Sequence, residues 1–299
     1  MPRTHRVVYD TDIGSDVDDA LALALLLGTP SVRVEGVTTV YGDTLLRARL
    51  AQRYASLAGR RLIVFAGETA TRSGREVWWA GHEGSLHDAL EVEPVEAEPG
   101  VDFLVRAVGE APGAIDVIAV GPLTNLAAAI DRAPTFARGL RHLWLMGGCF
   151  DGSDEAEHNI RSDVDAAAIV FDSGASITIA GLEITRRVSM VAAHLERIAA
   201  AGPLGRALDA DIRQWWSFWN ETWNVPHDPL TVLALVRPDL FAYSAEGTVS
   251  LDADGRTSFT PAGGGRTRVV TDVDAEAVAE AIVDGVVAAA GGYPASNSR

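Results

Sequence analysis

The sequence predicts an α/β protein: one domain on an open, mostly parallel sheet with helices on both faces, a Rossmann-like core. Three observations predict it. Short β-rich runs alternate with alanine- and leucine-rich amphipathic runs, the pattern of strands joined by crossover helices. The candidate polar residues fall just after the strand-like runs, where parallel sheets hold their ligands. No linker-like stretch and no internal repeat divides the 299 residues, so one unit spanning 1–299 is expected.

The elements follow in order. "RVVYD" (6–10) is a β-branched run that starts the sheet, and 18–28 is an apolar helix entered through aspartates. "VRVEGVTTV" (32–40) and "RLIVFAG" (61–67) read as strands around a helix at 44–58. A helix at 101–110 leads to "IDVIAVG" (115–121), whose continuous apolar run suits a strand buried on both faces. Pro122 then opens a helix at 122–131. "LRHLWLMGG" (140–148), a helix at 163–173 and "SITIAG" (176–181) repeat the alternation. From about 183 to 230 the pattern turns helical and aromatic. A hairpin turns at "DADGR" (252–256), a glycine-rich loop follows at 262–266, and a helix runs over 273–290. The tail at 292–299 is expected to be disordered.

Composition narrows the function. Apolar residues are 47% and charged residues 22%, which supports a large buried core. A net charge of −16 disfavours binding to nucleic acid or anionic membrane, and suits divalent cations. Cys149 is the one cysteine, so no internal disulfide forms; beside "MGG" it reads as a small buried residue rather than a nucleophile. The N-terminus shows no signal-peptide core and the apolar runs are too short to span a bilayer, so a cytoplasmic protein is expected.

"DTDIGSDVDDALALALLL" (10–27) places five aspartates in ten positions. Two carboxylates about 4 Å apart repel by roughly 4 kcal/mol at an effective dielectric of about 20. A solvated acidic loop, capping of the following helix, and a hard cation with oxygen ligands each account for part of the crowding. Capping explains one or two of the five. The spacing is not that of an EF-hand.

The same stretch resembles the opening motif of the inosine–uridine-preferring nucleoside hydrolases, D-x-D-P-G-x-D-D-A-x-A-L. Four further segments are similar in order: "GVTTVYGD" (36–43), "AVGPLTNLA" (119–127), "LWLMGG" with "AEHNIRSDVDAA" (143–148, 156–167), and "HDPL" (227–230). The resemblance implies Ca²⁺-dependent cleavage of the N-glycosidic bond of ribonucleosides by a homodimer or homotetramer. It implies Asp12 as metal-bound general base, Asp19 and Asp228 as further carboxylate ligands, and Thr124 as a carbonyl ligand. It implies Asp18, Glu157 and Asn159 as ribose contacts and His227 beside the leaving base. The departures are Ile13 for proline, two extra residues that bring in Asp16, Asp43 for asparagine, and the segment around Asp151.

Chemistry gives these residues work. Breaking a ribosyl C–N bond builds positive charge on the sugar, which carboxylates such as Asp18, Asp43 and Glu157 favour. Asp12 can take a proton from water and His227 can give one to the base; the alternative for His227 is a helix cap before Pro229. His82, in a glycine-flanked loop near Trp78 and Trp79, is either a base contact or a turn residue. Trp215, Trp216, Trp219 and Trp223 form a stripe that reads as packing or subunit contact; Trp219 and Trp223 lie near enough to "NVPHDP" to stack a base. Two other classes compete: a Mg²⁺-dependent phosphatase, suggested by "DTDIGSD", and a binding protein that has lost activity.

Overall fold

A computed structural model describes residues 4–291 of the chain, so the tail at 292–299 lies outside the described residues. The first half contains β1 (His5–Thr11), α1 (Asp18–Gly28), β2 (Val32–Thr39), α2 (Thr44–Leu57), β3 (Val64–Ala66), α3 (Gly100–Glu110), β4 (Ile115–Ala119), α4 (Thr124–Arg132), α5 (Phe136–Gly139) and β5 (His142–Met146). Next come α6 (His158–Ser162), α7 (Val164–Phe171), β6 (Ile177–Ala180), α8 (Leu182–Thr185), β7 (Met190–Val191), α9 (Ala192–Ala200), α10 (Pro203–Trp219), β8 (Trp223–Asn224) and α11 (Pro229–Val236). The chain then forms β9 (Phe241–Tyr243), β10 (Gly247–Leu251), β11 (Thr257–Pro261), β12 (Thr267–Val273) and α12 (Ala275–Ala290).

The main sheet runs β11-β10-β12-β6-β5-β4-β1-β2-β3, with β9 also paired to β12. Pairings from β3 across to β12 are parallel, while β9, β10 and β11 add antiparallel partners at the far side. β1 therefore has β2 on one side and β4 on the other. At such a point the crossover helices leave to opposite faces and open a crevice beyond the strand ends. Two apolar cores cover the faces. Leu21, Ala48, Leu208, Leu230 and Ile282 belong to one. Leu104, Leu126 and Val170 belong to the other. α1 crosses α12 closely: any Cβ on Gly28 would strike the Gly285 carbonyl, and one on Gly285 would strike Leu25. No helix among the described residues is long and apolar enough to cross a membrane.

The expected strands and helices are present with adjusted ends. The 61–67 run pairs only over Val64–Ala66, as a short edge strand, with Arg60, Arg61 and Ile63 exposed before it. Pro122 precedes its helix, which begins at Thr124. The hairpin at 252–256 joins β10 to β11. The sequence reading did not anticipate β12, a β-branched run that joins the sheet parallel to β6 just before the last helix.

Candidate active site

A cavity of about 400 Å³ opens where β1 and β4 end, a volume in the range of small-molecule sites. Its wall is built from the β1–α1 loop, the Tyr41 turn, the 155–161 segment, Leu182 and Arg186 beside α8, Trp215 and Trp219 on α10, and His227–Asp228 before α11. Asp12, Asp16, Asp18 and Asp19 all line it. Asp228, some two hundred residues later in the chain, completes the acidic end.

Asp18, Asp19 and Asp228 are buried, and each offers a carboxylate oxygen within 4.8 Å of the others. Burial, followed by repulsion from their carboxylate neighbours, pushes all three well above the usual carboxylate range. Burial raises Asp12 as well, and Arg47 and His158 oppose the rise. Asp16 is pushed up to about 7, first by burial and against a hydrogen bond from the Val17 N–H at 2.6 Å. Hard oxygen donors with no apolar substitute among them, held close and paying for their proximity in repulsion, fit a divalent metal ion.

The local backbone explains how the loop is held. The Thr11 hydroxyl donates to Asp19 and accepts from the Ile13 N–H at 3.1 Å. The Tyr9 hydroxyl donates to the Asp19 carbonyl at 3.0 Å. Arg47 is fully buried: its Nη1 donates to the carbonyls of Asp12 and Ile13, and its Nε donates to the Tyr41 carbonyl at 2.7 Å. A cation under the loop thus ties the aspartate segment to the turn after β2. Tyr41 in that turn is left-handed, with φ 72°, a conformation that costs a non-glycine residue roughly 1–3 kcal/mol. Its hydroxyl accepts from the Trp78 N–H at 2.7 Å. Gly121, just past β4, leaves room for Asp12: a Cβ there would lie 2.8 Å from Asp12 Oδ1.

On the second wall, Glu157 caps α6, accepting from the N–H groups of Asn159 at 2.8 Å, Ile160 at 3.1 Å and Gly148 at 3.0 Å. Burial raises its pKa, and these N–H groups partly offset that. Asn159 donates to the carbonyls of Val120 at 2.6 Å and Met146 at 3.3 Å, joining the ends of β4 and β5. His227 Nδ1 lies 2.7 Å from the Thr185 hydroxyl. Burial, and then the charge of Arg186, push the imidazole down to about 4, so it rests neutral at pH 7.

The profile of the family described as "Inosine-uridine preferring nucleoside hydrolase" matches residues 7–280. The chain belongs to this family. Probable uridine nucleosidase 2 of Arabidopsis thaliana is 33% identical over 272 residues, covering 84% of this chain and 83% of that protein. Pyrimidine-specific ribonucleoside hydrolase RihA of Citrobacter koseri is 30% identical, over 84% of this chain and 85% of its own length. Among solved structures, a plant nucleoside hydrolase superposes with a TM-score of 0.85 at 30% identity, covering 96% of this chain and 99% of that one. A purine-preferring ribonucleoside hydrolase from Gardnerella vaginalis gives 0.82 at 25% identity, covering 96% and 99%. This nucleoside hydrolase is accordingly an enzyme that cleaves N-glycosidic bonds of ribonucleosides.

For a nucleoside hydrolase, the residues named from sequence divide in two. The structure brings together Asp12, Asp18, Asp19, Glu157, Asn159, Trp219, His227 and Asp228 around one cavity. Asp18, expected as a ribose contact, is the carboxylate that clusters with Asp19 and Asp228. Thr124 is buried at the start of α4, where its hydroxyl donates to Asp163 at 2.7 Å. Asp43, Trp223 and His82 are not among the residues that line the cavity. Asp43 is exposed and caps α2, accepting from the Leu46 N–H at 2.9 Å. Trp223 is exposed and belongs to β8, which pairs with β7. His82 places Nε2 2.9 Å from the Ser15 carbonyl, behind the aspartate loop.

Tyr41, Arg47, Glu155, His158, Arg161 and Arg186 also line the cavity, and none of them was singled out from sequence. A tyrosine directly before the glycine of "VYGD" was a usable signal for a strained turn. Arg47, one of three arginines on α2, carried none.

Proposed function

We propose that the enzyme uses a calcium ion held by Asp12, Asp19, Asp228 and the Thr124 carbonyl, with Asp18 beside them, to release a free base from ribonucleosides. The observation that carries this reading is the meeting of Asp18 and Asp19 with Asp228 in the cavity at the end of β1. When bound, a hard divalent cation fixes and acidifies water and neutralises the carboxylates around it.

The chain's own residues do the rest. Asp12 accepts the proton of the attacking water at its carboxylate. Asp16 and Asp18 accept from sugar hydroxyls and, with Glu157, favour the positive charge that grows at C1′. Asn159 orients the sugar from the opposite wall. Trp219 covers the base, and neutral His227 stands beside it. A homo-oligomer in the cytoplasm completes the reading; the free, buried Cys149 is in keeping with the compartment.

The test is release of free base and ribose from uridine, cytidine, inosine and adenosine, followed by chromatography. Full activity with Ca²⁺, loss in chelator, recovery on Ca²⁺ addition, and a drop of about 10³-fold or more in Asp12→Asn are expected. Unchanged turnover in Asp12→Asn would remove Asp12 as the base.

A further inference from the structure

The residue that holds Thr124 has no part in the chemistry described so far. Asp163 is the residue between α6 and α7 and is fully buried. Its carboxylate accepts hydrogen bonds from the loop after β3, the start of α4 and the first turn of α7. Oδ2 accepts from the Thr124 hydroxyl at 2.7 Å and from the Arg72 N–H at 2.8 Å. Oδ1 accepts from the Ser73 N–H at 3.0 Å and from the Ala166 N–H at 3.3 Å. Among the described residues no arginine or histidine forms an ion pair with it, so these donors are what offset its burial. An asparagine could not serve all four: in either orientation its Nδ2 would face a backbone N–H, that of Arg72 or those of Ser73 and Ala166. The loop is fastened again close by. The Ser73 hydroxyl donates to the Ser162 carbonyl at 3.4 Å, and Arg75 Nη1 donates to the Arg161 carbonyl at 2.8 Å. Asp163 is thus a fixed post, not a side chain free to follow Thr124.

Thr124 opens α4 shortly after the end of β4. Gly121, three residues earlier, passes directly beside the Asp12 carboxylate. Asn125, one residue later, is held by other partners. Its Nδ2 donates to Asp10 Oδ1 at 2.7 Å and to the Thr39 carbonyl at 3.0 Å, and its Oδ1 accepts from the Glu68 N–H at 2.8 Å. Asn125 therefore ties the start of α4 to β1 and β2, and Asp163 ties it to α7. With the Thr124 hydroxyl turned to Asp163, the main-chain carbonyl is the oxygen that Thr124 has for an ion. We infer that Asp163 is a positioning residue for the calcium site: it fixes Thr124 and the start of α4 so that the Thr124 carbonyl is presented to the ion without rearrangement. Groups that hold a ligand residue from behind commonly change metal affinity by about 10–100-fold when they are removed. The inference rests on the calcium reading proposed above.

The experiment titrates Ca²⁺ into the metal-free full chain by isothermal calorimetry, with Tm in chelator measured alongside. It compares wild type, Thr124→Val, Thr124→Ser, Asp163→Asn and the double variant Thr124→Val/Asp163→Asn. Thr124→Val keeps the carbonyl and removes only the hydroxyl, and it is expected to raise the Kd for Ca²⁺ by about 10–100-fold. Thr124→Ser keeps the hydroxyl and should restore most of the affinity. Asp163→Asn should weaken binding at least as much as Thr124→Val. The double variant should bind no more weakly than Asp163→Asn alone, because the two changes break the same bond. If Asp163→Asn does not fold, the valine and serine variants carry the test by themselves. A Kd that stays at the wild-type value in Thr124→Val, whatever the Tm in chelator, would make Asp163 an anchor of the scaffold only and overturn the inference. Losses that multiply in the double variant, or a serine variant as weak as the valine one, overturn it too. A wild type that takes up no Ca²⁺ overturns the calcium reading and this inference with it, whereas a wild type that binds Ca²⁺ beside unaffected variants overturns the inference alone.

Discussion

At the scale of single residues the site is a set of charges kept where water cannot screen them. Asp18, Asp19 and Asp228 are buried together, so burial and mutual repulsion disfavour the ionised form of each. Replacing one by a neutral isostere should relieve that repulsion. In chelator, Asp18→Asn should melt at a higher temperature than wild type, while the rise in Tm caused by Ca²⁺ should shrink. A lower Tm in chelator would mean that repulsion is not what limits this loop. Arg47 is the opposite case. Its loss orphans the carbonyls of Asp12, Ile13 and Tyr41 beside buried carboxylates. Arg47→Met should cost about 3–5 kcal/mol in urea denaturation, the usual penalty for breaking a buried charge arrangement.

At the scale of elements, two contacts decide how well the sheet presents these residues. α1 carries Asp18 and Asp19 at its first turn and rests on α12 through Gly28 and Gly285. Gly28→Ala forces the helices apart and should cost about 1–3 kcal/mol, the range for overpacking, read from the urea midpoint. β5 contributes His142, whose Nε2 lies 2.8 Å from the Thr178 hydroxyl on β6. Burial, and then the charges of Arg268 and Arg141, hold this imidazole at about 4. An unfolded histidine titrates near 6.5, so as pH falls from about 6.5 the unfolded chain takes the proton first. The contribution of His142 to stability is intact above that pH and is lost as pH drops toward about 4. His142→Gln should flatten the fall of Tm between pH 7 and 5; an unchanged slope would show that His142 does not set it.

At the scale of the whole molecule, one small volume ties together segments far apart in sequence. The β1–α1 loop, the turn after β2, the 155–161 segment, the residue after α8, α10 and the start of α11 all reach it. A ligand for the acidic cluster binds the folded chain and not the unfolded one. It should therefore stabilise the entire domain, by about 2.7 kcal/mol at a free concentration a hundredfold above Kd. Differential scanning calorimetry with and without Ca²⁺ should show one transition moving as a unit. A shift confined to a minor early transition would mean that the site-bearing loops melt on their own.

Much of this was legible in the chain alone, because it depends on local pattern. Strand and helix periodicities located the parallel core, the hairpin at 252–256, and the strand ends where ligands belong. The spaced aspartates and "HDPL" named Asp12, Asp18, Asp19, His227 and Asp228, since each sits in a distinctive short motif. Asp43 shows the limit: its carboxylate could serve a ligand or a helix start, and only the direction taken by α2 sends it to the cap. The acidic residues, their spacing and the α/β alternation were set by the sequence by itself. Which of them face one another, that Arg47 lies beneath the aspartate loop, and that Arg186 and Glu155 reach the same cavity were decided by tertiary structure. The physical reason is that charge and periodicity are properties of neighbouring residues, whereas a side chain's partner depends on how distant elements cross.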